Sequence, residues 1–483
     1  MKIFTFVIFT ILIHSLFYYP GLAQNKKPSK TKAAVISSVE SHQQELISLS
    51  DKVWELAETA LKEYQSSKIL ADYAEVQGFS VERGVAGMPT AFIASYGSGK
   101  PIIAVLGEYD ALPGISQKAS AIKEPLKAGA AGHGCGHNLF GAGSMGAAVA
   151  IKELIQQDKL QGTIRFYGTP AEEAVGGKIY MVREGLFDDV DVSLDWHPDN
   201  KTKANVQSSQ ALLDFSVEFM GKAAHAAYDP WNGRSALDGM ELFTTGVNAY
   251  REHIRPTVRI HYVIQNGGDV PNVVPEYAKV WMWVRDSKRN GVEEVFQRVK
   301  QIAEGAAIMA DVKHKVTINS GDHEILVNRT GGMALQQNLE MLEPMKYTAE
   351  EIEFAKKIQV ATGKPQTGID SEIKPLEDTK EHPEGGSTDV GDVSWVVPQI
   401  SLVVTTAPAQ TPWHSWAVVA CGGMSIGHKG MLFAAKSLGM TIVDLFEDEN
   451  LRSEMRKEFK QSKGDYEYQS MLPDGPPPIP PLK

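Results

Sequence analysis

A chain of 483 residues has room for two or three domains at about 150 residues each. Its 43% hydrophobic and 22% charged residues are ordinary globular values and exclude a mostly disordered or collagen-like chain. A net charge of -11 offers no basic field for a phosphate backbone, and two cysteines cannot form a disulfide scaffold, so no nucleic-acid partner is expected.

Residues 1–23 (MKIFTFVIFTILIHSLFYYPGLA) open with Lys2, run apolar from Ile3 to Phe17, and end in Pro20 and Gly21-Leu22-Ala23. This pattern predicts a secretory signal peptide cut after Ala23, hence an exported chain, periplasmic or secreted, with no membrane attachment after cleavage. A polar linker follows at 24–32. A 3.6-residue apolar period then predicts helix from about Ala34 to Tyr64. Four short apolar runs come next, and each leads into polar residues. Ile102–Leu106 precedes Glu108-Tyr109-Asp110, and Thr163–Tyr167 precedes Pro170-Ala171-Glu172-Glu173. Val190–Trp196 precedes His197, and Ile400–Thr406 precedes Pro412-Trp413-His414. Such runs read as strands buried on both faces of an α/β sheet, with helices such as 143–156 between them. Ligands in open α/β sheets bind beyond the carboxyl ends of strands, where these polar residues fall.

The middle of the chain changes character. Strand-like 213–220, helical 234–254, strands 257–265 and 277–285, helical 291–310 and strand-like 312–319 give the order β-α-β-β-α-β, a ferredoxin-like pattern. Residues 209–322 are therefore expected to form a small domain inserted in a larger one, made of 24–208 and 323–465. Residues 340–385 read as a helix plus an exposed loop, and 466–483 as a proline-rich extended tail.

The densest chemical signal is Gly132-His133-Gly134-Cys135-Gly136-His137-Asn138. Its glycines allow turns tight enough for nearby side chains to converge, and thiolate and imidazole suit zinc and similar ions. His133 alone is better explained as a turn residue, or as one that supports a ligand, than as a ligand itself. Adjacent Glu172 and Glu173 point in different directions, so one can bind metal while the other faces a water as general base. With His197 and His414, the candidates number one Cys, one Glu and three His. That is too many for one closed tetrahedral site and suits two ions.

These residues carry a resemblance. GEYDALPG (107–114), KAGAAGHGCGHNLFGAGSMGAA (127–148), GTPAEEAVGGKIYMVREGLFDDVD (168–191), SLDWHP (193–198), GKAAHAA (221–227), PNVVPEYAKV (271–280), GSTDVGDVSWVVP (386–398) and PWHSW (412–416) resemble the aminoacylase/carboxypeptidase family of two-metal peptidases. Within it they are most similar to the amidohydrolase branch, which includes N-acyl amino acid amidohydrolases and p-aminobenzoyl-glutamate hydrolases. The resemblance implies a mixed-sheet α/β, zinc-peptidase-like catalytic domain with an inserted dimerisation or lid domain. It implies metal ligands Cys135, His137, Glu173, His197 and His414, with Cys135 bridging, and Glu172 as general base. It implies that His225 of the lid reaches an active site, often the partner's, and that Asn272 holds substrate. Asp110 is implied as the carboxylate that orients a ligand, while Glu108, Asp389 and Asp392 receive no definite role. Many family members place His where Glu108 stands, so the Cys-x-His turn supplies the missing ligand here. Two divalent ions are implied, zinc or manganese, with cobalt also accommodated by this ligand set. The implied activity is hydrolysis of N-acyl or aryl-acyl amino acids such as p-aminobenzoyl-glutamate, the alternative being a dipeptidase or carboxypeptidase of the same fold. The implied assembly is a homodimer through the lid or a heterodimer with a homologous subunit. Arg234 and Arg285 are candidates for local carboxylate recognition.

Overall fold

The computed structural model describes residues 27–382 and 385–481; the expected signal peptide at 1–23 lies outside them. Its strands are β1 (Ser80–Arg83), β2 (Phe92–Gly97), β3 (Ile102–Glu108), β4 (Thr163–Thr169), β5 (Val192–Asp199), β6 (Lys203–Asn205), β7 (Ala211–Met220), β8 (Arg259–Asn266), β9 (Tyr277–Asp286), β10 (Lys313–Asp322) and β11 (Gln399–Thr405). They form a seven-stranded sheet in the order β1-β2-β4-β3-β5-β11-β6 and a four-stranded sheet in the order β10-β7-β9-β8.

The centre of the large sheet, β4-β3-β5-β11, is parallel, and its edges are antiparallel. Every residue of β3 and β11 is buried, as their unbroken apolar runs require. The two-residue side-chain period divides β3 between two cores. Ile103 and Val105 join the cluster under the helices His137–Gln156 and Ser425–Glu447. Ile102, Ala104 and Leu106 join one formed with Tyr180, Phe187 and Val393 on the other face. The helix His137–Gln156 lies close to the sheet because it is glycine-rich. A Cβ on Gly141 would stand 2.7 Å from the Glu108 carbonyl oxygen, and one on Gly143 would stand 2.9 Å from the Trp196 ring.

The second sheet is antiparallel throughout and carries helices Ala236–Tyr250 and Arg289–Ala310. Phe215, Phe219, Phe243, Met282 and Val299 form its core. Its chain order is the β-α-β-β-α-β read from the sequence.

One expected element divides. The period from Ala34 to Tyr64 is carried by two helices, Lys30–Ser41 and Gln43–Leu56, followed by an irregular stretch to Glu63. Ala57 and Leu61 adopt φ of 43° and 56° there, which ends helical hydrogen bonding although the apolar spacing continues. The C-terminal tail is irregular and packs back on the body: the Tyr468 hydroxyl donates to Asp392, and Arg183 donates to the carbonyls of Pro473 and Gly475. Among the described residues no single helix is long and apolar enough to cross a membrane.

Candidate metal centre

Parallel strands in register end together. Glu108 pairs with Thr169, and Val403 pairs with His197, so the segments following β3, β4 and β11 converge with the end of β5. Asp110 lies just past β3 and Glu172-Glu173 just past β4. His197 is on β5, and His414 follows β11. His137 is the first residue of its helix, behind Gly136, whose φ of 83° is a conformation L side chains rarely adopt. Two further backbone positions are bent. Ala171 has φ of 62°, and its N–H donates to Glu63 Oε1 at 3.0 Å. His414 has φ of 54°, and its N–H donates to the Gly134 carbonyl at 3.0 Å, tying its loop to the turn that carries Cys135.

The side chains meet closely. Cys135 Sγ lies 3.3 Å from His197 Nε2. His197 Nδ1–H donates to the Pro198 carbonyl at 2.7 Å, leaving Nε2 as the lone-pair nitrogen facing the thiol. His137 Nδ1–H donates to Asp110 Oδ1 at 2.9 Å, and the same carboxylate accepts the Glu173 N–H at 2.9 Å, so Asp110 orients two site residues at once. His414 Nε2 lies 3.6 Å from Glu173 Oε2. Ligand atoms within 4.8 Å of one another fall in three groups: Cys135, His137 and His197; Cys135, Glu173 and His414; Glu108, His137 and Glu172. Cys135 is common to the first two. His137 Nε2 and Glu108 Oε2 lie 3.0 Å apart and face no other polar partner, and Glu173 Oε1 is buried without a hydrogen-bond partner. In the metal-free protein a proton on His137 Nε2 faces Glu108, and a divalent cation can take that place among the converging buried ligand atoms, so this donor set fits metal.

The electrostatics agree. Burial pushes the Cys135 thiol up, and Glu173 up to about 7. Burial, with Glu108 and Glu173 nearby, raises Glu172 well above the usual carboxylate range. His197 is pushed down to about 4 by burial and the His137 charge. A dication reverses these penalties for the anionic ligands and suits a neutral imidazole.

Several placements were not legible in the sequence. Lys178, fully buried, sits 2.6 Å from Glu108 Oε1 and 2.7 Å from Asp389 Oδ1. Burial raises the Glu108 carboxyl, but the Lys178 and His137 charges override it and hold Glu108 far below its usual value. Asp389 thus fixes Lys178, while Asp392 accepts from His323 and Tyr468. The only local hint is one Lys in the otherwise apolar GGKIYMV. His133 donates Nε2–H to the Val53 carbonyl at 3.0 Å, and burial lowers it to about 4, in keeping with a turn residue. His225 and Asn272 lie together on the small-sheet unit, where the Ala226 N–H donates to the Asn272 carbonyl at 3.0 Å. Both are exposed, and neither lines the cavity above the metal cluster of their own chain. Arg234 pairs with Asp311, and Arg285 donates to Ser387 Oγ at 3.0 Å.

The model of Peptidase family M20/M25/M40 matches residues 104–404, a span holding Cys135, His137, Glu172, Glu173 and His197. The chain belongs to this peptidase family. This M20 chain is 40% identical to a p-aminobenzoyl-glutamate hydrolase subunit of Escherichia coli (strain K12), over 92% of this chain and 98% of that protein. Its fold is similar to that of a dinuclear metal-binding M20 peptidase from Bacillus subtilis, with a TM-score of 0.56, 18% identity, and coverage of 84% of this chain and 99% of the other. It is also similar to an aminobenzoyl-glutamate utilization protein from Klebsiella pneumoniae, with a TM-score of 0.54, 17% identity, and coverage of 81% and 96%. The M20 chain is a metal-dependent amidohydrolase or peptidase.

Proposed function

We propose that the protein hydrolyses the amide bond of N-acyl or aryl-acyl amino acids, p-aminobenzoyl-glutamate among them. The observation that carries this reading is the pairing of a Cys/His/Glu donor cluster with an extra carboxylate, Glu172, beside it. The 40% identity to a p-aminobenzoyl-glutamate hydrolase polypeptide supports the substrate class. Cys135, His137, Glu173, His197 and His414 would hold two divalent ions, zinc or manganese. Bound ions supply Lewis acidity that lowers the pKa of a water toward about 7 and polarises the scissile carbonyl.

Glu172 takes the proton as the water oxygen attacks the amide carbon. Its place beside Glu108 and His137 puts a carboxylate within reach of the water at the cluster. Glu172 then delivers that proton to the leaving nitrogen as the C–N bond breaks. Asp110 keeps His137 and the Glu173 backbone in place throughout. His225 donates to the developing oxyanion from a neighbouring subunit, and Asn272 beside it holds the substrate. The neighbour is a second copy or a homologous subunit, the latter in keeping with the Escherichia coli relative being named as one subunit of its enzyme. The pattern of residues 1–23 supports export.

The test is hydrolysis of p-aminobenzoyl-glutamate by the purified mature chain loaded with zinc or manganese, beside a panel of N-acyl amino acids and dipeptides. Turnover that a chelator abolishes and metal restores is expected, and the preferred member names the substrate. Turnover that survives complete metal removal would refute the reading.

A further inference from the structure

The cavity of about 620 Å³ over Glu172, Glu173 and His197 continues past the metal cluster, across β11, to the edge strand β6. Residues 201–207 alternate there. Thr202, Ala204 and Val206 are buried, and Thr202 Oγ1 donates to Thr405 Oγ1 at 3.1 Å. Lys201, Lys203, Asn205 and Gln207 line the cavity. The register sets how far this wall is from the chemistry. Lys203 pairs with Val403, and Val403 pairs with His197. Cross-strand partners share a face, and two inter-strand spacings put the Lys203 backbone about 10 Å from that of His197. A lysine side chain covers much of that span. Its ammonium can therefore meet an anionic group a few bonds from an amide seated at the cluster.

The charge arrangement points the same way. The Lys203 side chain is 4% exposed, a costly position for an ammonium without a partner. Its partner is Glu377 Oε2 at 2.6 Å, on a side chain that is 50% exposed. Glu377 belongs to an irregular segment between the helix Ala349–Ala361 and Val390. A carboxylate from a loop thus covers a cavity-lining ammonium, and it can return to water when another carboxylate takes its place. Lys201 and Lys380 add positive charge to the same wall. Asp199 opposes them, but one of its oxygens accepts the Asn200 N–H at 2.5 Å.

We infer that Lys203, with Lys201, binds a second carboxylate of the substrate in place of Glu377, so that the enzyme selects amides carrying a further acidic group. This rests on the amide-hydrolase reading for its chemistry, but the anion site can be measured without it. The carboxylate can belong to the leaving amino acid or to the acyl half. Two matched pairs separate these sources: p-aminobenzoyl-glutamate against p-aminobenzoyl-glutamine, and N-succinyl-alanine against N-succinamoyl-alanine.

In one pair the metal-loaded enzyme is expected to favour the acid by about tenfold or more in kcat/KM, mostly through KM, as a charge-assisted contact provides. Lys203→Gln should bring that ratio close to one. Glu377→Gln, which keeps an amide oxygen to accept from Lys203, should lower KM for the acid, with its fold checked by its urea midpoint. Glutarate binding to the metal-free protein, followed by calorimetry, gives a readout independent of turnover and should weaken by about tenfold in Lys203→Gln. If no amide is cleaved, with or without a homologous subunit added, yet glutarate binds through Lys203, the hydrolase reading falls and the anion site stands. If amides are cleaved with no acid preference in either pair and glutarate does not bind, the anion site falls and the hydrolase reading stands.

Discussion

Glu172 and Glu173 are adjacent in sequence, yet they meet different neighbours. Glu173 has its backbone held by Asp110 and faces His414, whereas Glu172 groups with Glu108 and His137. Glu172→Gln keeps the size of the side chain and removes the proton acceptor. It is expected to retain metal, measured by elemental analysis, while kcat falls by about 10²–10⁴-fold. Near-normal turnover in that variant would end its assignment as base. Glu63 acts one step further out. It is buried and accepts the N–H groups of Leu61 and Ala171, so it holds the bent backbone that presents both carboxylates. Burial, and then the nearby Asp110 charge, raise its pKa from 4.5 to about 8. The folded state therefore binds this proton more tightly than the unfolded one. Its contribution to stability is complete below pH 4.5 and is lost as pH rises through about 8. In the metal-free protein, the urea midpoint should fall over that window, and Glu63→Gln should fall less steeply. Parallel profiles for the two proteins would show that Glu63 is already ionised in the fold.

At the scale of elements, the turn 132–136 decides whether His137 and Cys135 can meet His197. Gly136 has φ of 83°, and an added Cβ would stand 2.9 Å from the Pro198 ring, next to His197. Gly136→Ala is expected to cost about 1–2 kcal/mol from the left-handed backbone alone. It should also weaken metal binding, because relief of the clash moves either ligand segment; a competition titration against a chelator measures this. Wild-type affinity in the variant would show that the turn does not set the ligand geometry. These elements also explain what the sequence makes legible. The central strands are legible because an unbroken apolar run ending in polar residues is a local signal, and the ligand residues sit at those ends. Strands β1, β2 and β6 give no such signal: β6 has three residues, and its sequence KAN lies in a stretch that looks solvated. The break after Leu56 is hidden because apolar spacing continues through a change in backbone angle. The Lys178 pairs are hidden for another reason. Glu108 and Asp389 lie far away along the chain on either side of Lys178, and nothing local to Lys178 encodes their approach.

At the scale of the whole molecule, the proposed function has His225 acting on the site of a neighbouring subunit. Its Nδ1 accepts the N–H groups of Ala227 and Tyr228 at 3.2 and 3.0 Å. Neutral imidazole then carries its proton on Nε2, turned away from those backbone groups, as an available donor. That donor lies outside the cavity of its own chain, which is lined by Glu172 and by Cys135, Glu173, His197 and His414. The same unit ends in the edge strand β8, where Val263 and Ile264 are 60% and 51% exposed, an edge that soluble monomers usually blunt or cover. Both features would be accounted for by the proposed second subunit, seated along β8 and receiving His225. The prediction is complementation. Glu172→Gln and His225→Ala should each be nearly inactive alone. Co-expressed, half of the dimers are mixed, and each mixed dimer has one site with both an intact Glu172 and an incoming intact His225. Activity on the order of a quarter of wild type should return. If His225 serves its own chain, every site in the mixture lacks one of the two residues and no activity returns. If the second subunit must be a homologue rather than a copy, the wild-type chain alone is already inactive, and adding the homologue, not mixing variants, restores turnover.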